Sequence, residues 1–358
     1  MPTSLLPKSG APSRFRRTPL SARIWTLAGI ILVCISLAAC QVTQRTSMGT
    51  GTGHLAPAIP IASARQIIPV ASSGCGKAVS IPAGTSALRT VVVGTSSRAY
   101  LLHLPTGYQP RHPYPLVLNF HGHGSTATQQ QLLTGFSQMA DARGFIVAYP
   151  QGVVGPDHRT GWASGGPNKP QVNDILFVHD LIASLQATLC VDNLRIYATG
   201  FSNGGGMTSV LACTMAQQIA AFAAVSGSYF PLAAGCHPAH PVPVLEFHGT
   251  GDTIVPYAGR PWQNEMGALE WVNQWAARDG CKQPPTITAV AGTSREYAWN
   301  NCRNGVRVIH YQLAGGIHTW PGGFERLGRH FHFLPVSDRA INATSIIWQF
   351  FQQYSLPR

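Results

Sequence analysis

From residue 90 onward the chain switches between short apolar runs and segments whose apolar residues recur three and four apart. The β-prone runs 90–93 and 98–104 flank Gly94-Thr95-Ser96-Ser97, a pattern that predicts an antiparallel hairpin. Residues 115–120, 144–150, 194–197, 220–225, 242–248 and 306–313 are short and mostly apolar, as strands buried on both faces are. Between them, 129–143 places Leu132, Leu133, Phe136 and Met139 on one helical face, and 174–189 does the same with Ile175, Phe177, Val178, Leu181, Ile182 and Leu185. Helices are also expected over 207–219, 269–278 and 340–354. The Gly- and Pro-rich stretch 152–171 reads as loop. Strands alternating with helices predict an α/β fold, a mostly parallel central sheet with helices on both faces and an N-terminal antiparallel hairpin, all in one domain over 74–358. Such sheets carry their chemistry at the carboxyl ends of their strands.

The first 73 residues follow neither period. Arg14, Arg16, Arg17 and Arg23 precede the apolar run 24–37, which ends in Leu37-Ala38-Ala39-Cys40. A basic head, an apolar core and small residues before a cleavage point read as an export signal over 1–39. Cysteine directly after Leu-Ala-Ala looks like a bacterial lipobox, which implies lipidation of Cys40 and a membrane partner reached through that anchor. Arg16-Arg17 is followed by Thr18-Pro19-Leu20, a poor match to twin-arginine export. Residues 40–73, rich in Thr, Ser, Gly, Ala and Pro, read as a tether.

Charge and cysteine content sharpen this picture. The formal charge of +12 falls to +7 once Lys8 and the four arginines of 1–39 are removed. No dense Lys/Arg cluster interleaved with aromatics remains, so nucleic acid is not an expected partner. Cys75, Cys190, Cys213, Cys236, Cys281 and Cys302 follow the tether, an even number in an exported domain, which favours disulfides. Local spacing pairs Cys213 with Cys236 and Cys281 with Cys302, leaving Cys75 with Cys190. There is no C-x-x-C pair, and neither a metal nor another cofactor is expected.

Candidate chemistry sits at the ends of the expected strands. Gly200-Phe201-Ser202-Asn203-Gly204 follows one strand and precedes a helix, the setting in which a strained turn projects a serine hydroxyl. Asp252 lies in the Gly-rich loop after 242–248, where it either shapes an Asx-turn or meets an imidazole. His318 lies between glycine pairs beyond 306–313. The order Ser202, Asp252, His318, with separations of 50 and 66 residues, is the one in which α/β-hydrolases present nucleophile, acid and base. Backbone N–H groups of Asn203 and His123 are the expected oxyanion donors. His121-x-His123 and His330-x-His332 have metal-pair spacing without a nearby third ligand. Trp162, Tyr257 and Trp320 are the aromatics expected to line a substrate pocket, with core packing as the alternative for each.

The segments FHGHGSTA (120–127), YPQG (149–152), ATGFSNGGGM (198–207), FHGTGDTIVPYAG (247–259) and GGIHTWPGG (315–323) together resemble the polyhydroxybutyrate depolymerase-like esterase family, to which secreted feruloyl and acetylxylan esterases are similar. Ser73-Gly74-Cys75-Gly76-Lys77 resembles the start of the mature domain in that family, and the likeness spans roughly 74–325. The resemblance implies an α/β-hydrolase fold, cofactor-free hydrolysis of carboxylic esters, and Ser202, Asp252 and His318 in the catalytic roles. His123 departs from the smaller residues common at its position. The expected activity is a surface-anchored serine esterase on polymer-linked esters, feruloyl or acetyl groups of xylan first and hydroxyalkanoate polyesters second. The alternative from another class is a non-catalytic carbohydrate-binding lipoprotein; a serine peptidase would call for an added propeller or lid that the sequence lacks.

Overall fold

A computed structural model of the chain describes residues 67–327, 330–333 and 341–357. The export signal, Cys40 and the tether up to residue 66 lie outside the described residues, as do the side chains of His330 and His332. No helix among the described residues is long and apolar enough to cross a membrane.

Ten strands form one sheet: β1 (Ser86–Val93), β2 (Ser96–His103), β3 (Tyr114–Phe120), β4 (Ile146–Pro150), β5 (Val191–Phe201), β6 (Ala221–Val225), β7 (Val244–Gly249), β8 (Thr286–Ala291), β9 (Ser294–Trp299) and β10 (Val308–Leu313). Their spatial order is β1-β2-β4-β3-β5-β6-β7-β10-β9-β8. The six strands from β4 to β10 in that order run parallel, and an antiparallel hairpin closes each edge. Every residue of β3, β4, β6 and β7 is buried, which is why these strands read as continuous apolar runs.

Among the described residues, six α-helices cover the two faces. Helices α3 (Asp174–Thr188), α4 (Asn203–Thr214) and α5 (Ala268–Arg278) pack with Leu116, Leu118, Ile196, Ala198 and Phe222. Helices α1 (Ala127–Thr134), α2 (Phe136–Arg143) and α6 (Ala343–Phe351) pack with residues of opposite parity, among them Val117, Tyr197, Ala223 and Phe247. The period-2 alternation of each strand thus feeds two separate cores.

Three features differ from the expectation. The segment 129–143 is two helices, broken where Gly135 takes φ 64° and caps α1. Leu133, Phe136 and Met139 pack into the core as expected, but Leu132 is exposed, and Gln130 and Thr134 also turn inward and bond to the buried Asn119 amide at 2.8 and 3.0 Å. Satisfied polar groups thus share the inward side with the apolar stripe. Second, α4 begins at Asn203, directly after the serine, and runs through Gly204-Gly205-Gly206. Third, the β8–β9 hairpin fills a stretch for which no element was expected. Its outer strand is mostly exposed, so it carries no apolar run to read.

Covalent and polar links tie peripheral segments to the sheet. Disulfides join Cys75 to Cys190, Cys213 to Cys236 and Cys281 to Cys302, the pairing that spacing predicts. The expected tether is not free to its end. The Val70 N–H donates to Asp192 Oδ1, and the Ser72 N–H donates to the Val191 carbonyl, at 3.0 and 2.9 Å.

Candidate active site

Parallel register brings the carboxyl ends of β3, β5, β7 and β10 to one edge of the sheet: Phe120 pairs with Gly200, and Gly249 with Leu313. The loops carrying His121 to His123, Ser202, Asp252 and His318 therefore leave the sheet side by side.

Ser202 occupies the turn between β5 and α4 with φ 58° and ψ −120°, a conformation that a non-glycine residue holds only under strain. Its N–H donates to the Val225 carbonyl at 2.9 Å, which fixes the turn against the neighbouring strand. The turn closes because its flanking glycines permit backbone contact. A Cβ on Gly200 would lie 2.4 Å from the Gly204 carbonyl oxygen, and one on Gly204 would lie 2.2 Å from that of Phe120. A Cβ on Gly122 would be 3.3 Å from the Ser202 Cβ, so the loop after β3 passes directly beside the serine.

Asp252 is buried after β7. Its Oδ1 accepts the N–H groups of Ile254 and Val255, each at 2.8 Å, and its Oδ2 accepts from His318 Nδ1 at 2.7 Å. Burial alone would raise this carboxyl. Hydrogen bonds from His248 and His318, the His318 charge and the Val255 N–H outweigh burial and hold it well below the usual carboxylate range. The His318 ring also packs on Phe201, the residue before the serine, at a centroid distance of 4.7 Å. Backbone bonds from Thr250 to Leu313 and from Gly251 to Gly316, both 2.9 Å, tie the Asp252 and His318 loops together. The structure thus gathers Ser202, Asp252 and His318 at one strand-end edge.

Asn203 opens α4, where the first amides of a helix have no intrahelical acceptor. Its side chain is used for support: Oδ1 accepts from the Trp162 N–H at 2.8 Å and Nδ2 donates to Ser164 Oγ at 2.7 Å. On the facing loop the His123 imidazole meets Asp157 at 3.0 Å. His121 is fully buried, and burial pushes its imidazole down to about 4. A neutral ring fits its contacts, with Nδ1 on the Gly122 carbonyl and Nε2 accepting from the Gly152 N–H at 2.9 Å. Among the described residues there is no group of three or more His, Cys, Asp or Glu placed to hold a metal ion.

A cleft of about 290 Å³ opens over the serine, bordered by His123, Ser202, Asn203, Phe230, Ile254 and Arg260 among others. Of the three aromatics expected to line it, only Trp162 borders it, and its indole is fully buried, donating Nε1–H to the His121 carbonyl at 2.8 Å. Trp320 differs from the expectation. It is fully buried against Phe136, with Nε1 donating to Thr344 Oγ1 at 2.9 Å, and so anchors the His318 loop to α6. The Tyr257 hydroxyl points behind the site, 2.8 Å from His310 Nε2. Phe230 and Arg260, which do border the cleft, carried no motif that would have singled them out.

Two supporting groups also escaped the sequence reading. Asp174 opens α3, pairs with Arg98 at 2.8 Å and accepts the Ala163 N–H, fixing the loop that holds Asn203. Glu246 and His248 are buried polar residues in a strand that otherwise reads as apolar. That interruption was the available signal.

A family model described as Esterase PHB depolymerase matches residues 98–244. Feruloyl esterase B of Piromyces equi is 32% identical over 273 residues, 73% of this chain but only 46% of that protein, so the chain spans about half of that relative. NocK of Nocardia uniformis subsp. tsuyamanensis, which carries an esterase designation, is 32% identical over 265 residues, 67% of this chain and 75% of that protein. Among solved structures, the acetyl xylan esterase from Aspergillus awamori has a TM-score of 0.51 at 16% identity, covering 66% of this chain and 95% of that one, a likeness of fold alone. The family model, the extent of the NocK match and the α/β-hydrolase fold agree: the chain belongs to the PHB depolymerase family of serine esterases.

Proposed function

We propose that the protein is an exported carboxylic-ester hydrolase working through Ser202, His318 and Asp252. The observation that carries this reading is the 2.7 Å bond from His318 Nδ1 to Asp252 Oδ2, made beside a serine held at positive φ. With its Nδ1 proton committed to Asp252, His318 presents Nε2 as the base. Ser202 Oγ attacks the ester carbonyl carbon while Nε2 takes its proton. The tetrahedral oxyanion is met by the backbone N–H groups of Asn203 and His123. Collapse expels the alcohol, protonated by His318, and leaves an acyl-Ser202; water, activated by the same imidazole, then releases the acid. Asp252 stays ionised throughout and stabilises the imidazolium.

For substrate, the names of relatives favour feruloyl esters. The cleft fits this chemistry: it borders Ser202 and has Phe230 beside it for an aromatic acyl group. Three disulfides suit an oxidising compartment outside the cytoplasm. In this reading residues 1–39 direct export, Cys40 carries the lipid, 40–73 form the tether and 74–358 the esterase domain. A side-by-side assay on methyl ferulate, acetylated xylan and a hydroxybutyrate oligomer tests the substrate. The ferulate ester is expected to give the highest kcat/KM, and Ser202→Ala to lose on the order of 10⁴-fold or more on every ester cleaved. Preference for the hydroxybutyrate oligomer would move the protein to polyester cleavage, and retained turnover in Ser202→Ala would remove the mechanism.

A further inference from the structure

Directly beneath Asp252 lies a buried polar chain that the ester mechanism does not use. Glu246 and His248 point from β7 toward the α5 side of the sheet, and both are buried to 1% exposure or less. Glu246 Oε1 accepts from His248 Nδ1 at 3.0 Å and from the Tyr229 hydroxyl at 3.2 Å, and Oε2 accepts from His310 Nδ1 at 2.5 Å. The Tyr257 hydroxyl takes a hydrogen bond from the Gln312 amide and donates to His310 Nε2, so His310 needs only its Nδ1 proton. His248 is different. Its Nδ1 faces the Glu246 carboxylate and its Nε2 faces the Val255 carbonyl at 2.8 Å, with Asp252 Oδ2 3.5 Å away. All of these are acceptors, so both ring nitrogens must carry protons. His248 is an imidazolium between two carboxylates, and the Asp252 oxygen it approaches is the one that binds His318.

We propose that His248 is a positioning residue of the triad: held cationic by Glu246, it shares the Asp252 carboxylate with His318 and thereby sets the pH at which His318 becomes an active base. This inference rests on the Ser202–His318–Asp252 reading. A carboxylate that faces a single imidazole stabilises the imidazolium fully and shifts its deprotonation to higher pH. A second cation on the same oxygen takes up part of that field. His318 therefore releases its proton at lower pH than an unshared Asp252 would allow, which extends activity toward acid.

The protonation state of His248 has a consequence for stability with its own sign. Burial opposes the cation, but the bonds to Asp252 and Glu246, the Glu246 charge and the Val255 carbonyl prevail, and its ring is pushed up to about 10. The stabilisation this supplies is complete below the ordinary histidine range and is lost as pH rises through about 10. The groups facing the ring are Glu246 on its own strand, Asp252 and Tyr257 on the following loop, His310 on β10 and Tyr229 after β6; of these only the two carboxylates carry charge in the arrangement described.

The test is the pH dependence of kcat/KM on p-nitrophenyl acetate in Glu246→Gln, His248→Gln and the double variant. Removing one charge leaves the other buried and unpaired, so a single variant that does not fold is set aside in favour of the double variant, which removes both. The acid limb of the folded double variant is expected to move up by roughly one pH unit, so that well below the limb activity falls about tenfold relative to the plateau. Its alkaline loss of thermal stability should also be smaller than that of the wild type. A residue that merely packs would lower the rate at every pH and leave the limb in place; a limb within about 0.2 unit of wild type in the folded double variant overturns the proposal. That outcome is distinct from failure of the triad, which would appear as turnover surviving Ser202→Ala.

Discussion

Ser202 can hold φ 58° only because the surrounding backbone leaves it no alternative. Its N–H is bound to β6, the strand before it is paired on both sides, and the helix after it starts at once. Gly204 is the residue on which this closure depends, since a Cβ added to it would overlap the Phe120 carbonyl. Gly204→Ala is therefore expected to destabilise the domain by about 3 kcal/mol or more and to displace the α4 terminus that carries the Asn203 N–H. Urea melts should show the lowered midpoint, and any folded fraction should lose turnover. A midpoint unchanged from wild type would mean that the turn is looser than its contacts indicate. At this scale the sequence was legible wherever glycines crowd a strand end: Ser202, Asp252 and His318 each sit in such a loop. The aromatics were not legible, because a tryptophan near a catalytic loop serves a cleft and a core equally well, and Trp320 went to the core.

Among elements, the parallel strands were visible as runs because both of their faces are buried. The β8–β9 hairpin was not, since an edge strand half in water has no such run. The α1–α2 segment was legible in part: Leu133, Phe136 and Met139 pack inward as their spacing indicates, while Leu132 is exposed and Gln130 and Thr134 turn inward to Asn119 of β3. Pairings across 11 to 15 residues cannot be read from periodicity. Helix α5 offers a test of element energetics. Its C-cap, Asp279, is fully buried; Oδ1 accepts the Val242 N–H at 2.9 Å, and Oδ2 has no hydrogen-bond partner among the described residues. Burial, opposed by the Val242 N–H and by Arg278, Arg303 and His240, pushes this carboxyl up to about 7, and a helix C-terminus disfavours a negative charge. A group raised above its unfolded value destabilises the fold once it ionises, so stability should fall as pH rises from about 4 through 7. Asp279→Asn removes that dependence: it should raise Tm by roughly 5 °C at pH 8 and by less than half as much at pH 5. Equal effects at both pH values would assign the gain to packing instead.

For the molecule as a whole, the site is assembled from chain segments more than a hundred residues apart, and the same holds for its frame. Cys75 and Cys190 are 115 residues apart in sequence, and by loop-closure entropy a link of that span contributes about 4–5 kcal/mol. It holds the segment that leads in from residue 67 against the base of β5, at the end of the sheet opposite Ser202. The proposed role of Ser202 as a nucleophile activated by His318 is checked by peptide mapping after exposure of the folded protein to a fluorophosphonate. A single adduct is expected on the peptide bearing Ser202, absent in Ser202→Ala and strongly slowed in His318→Ala; an unlabelled Ser202 in folded, ester-cleaving protein would remove it from that role.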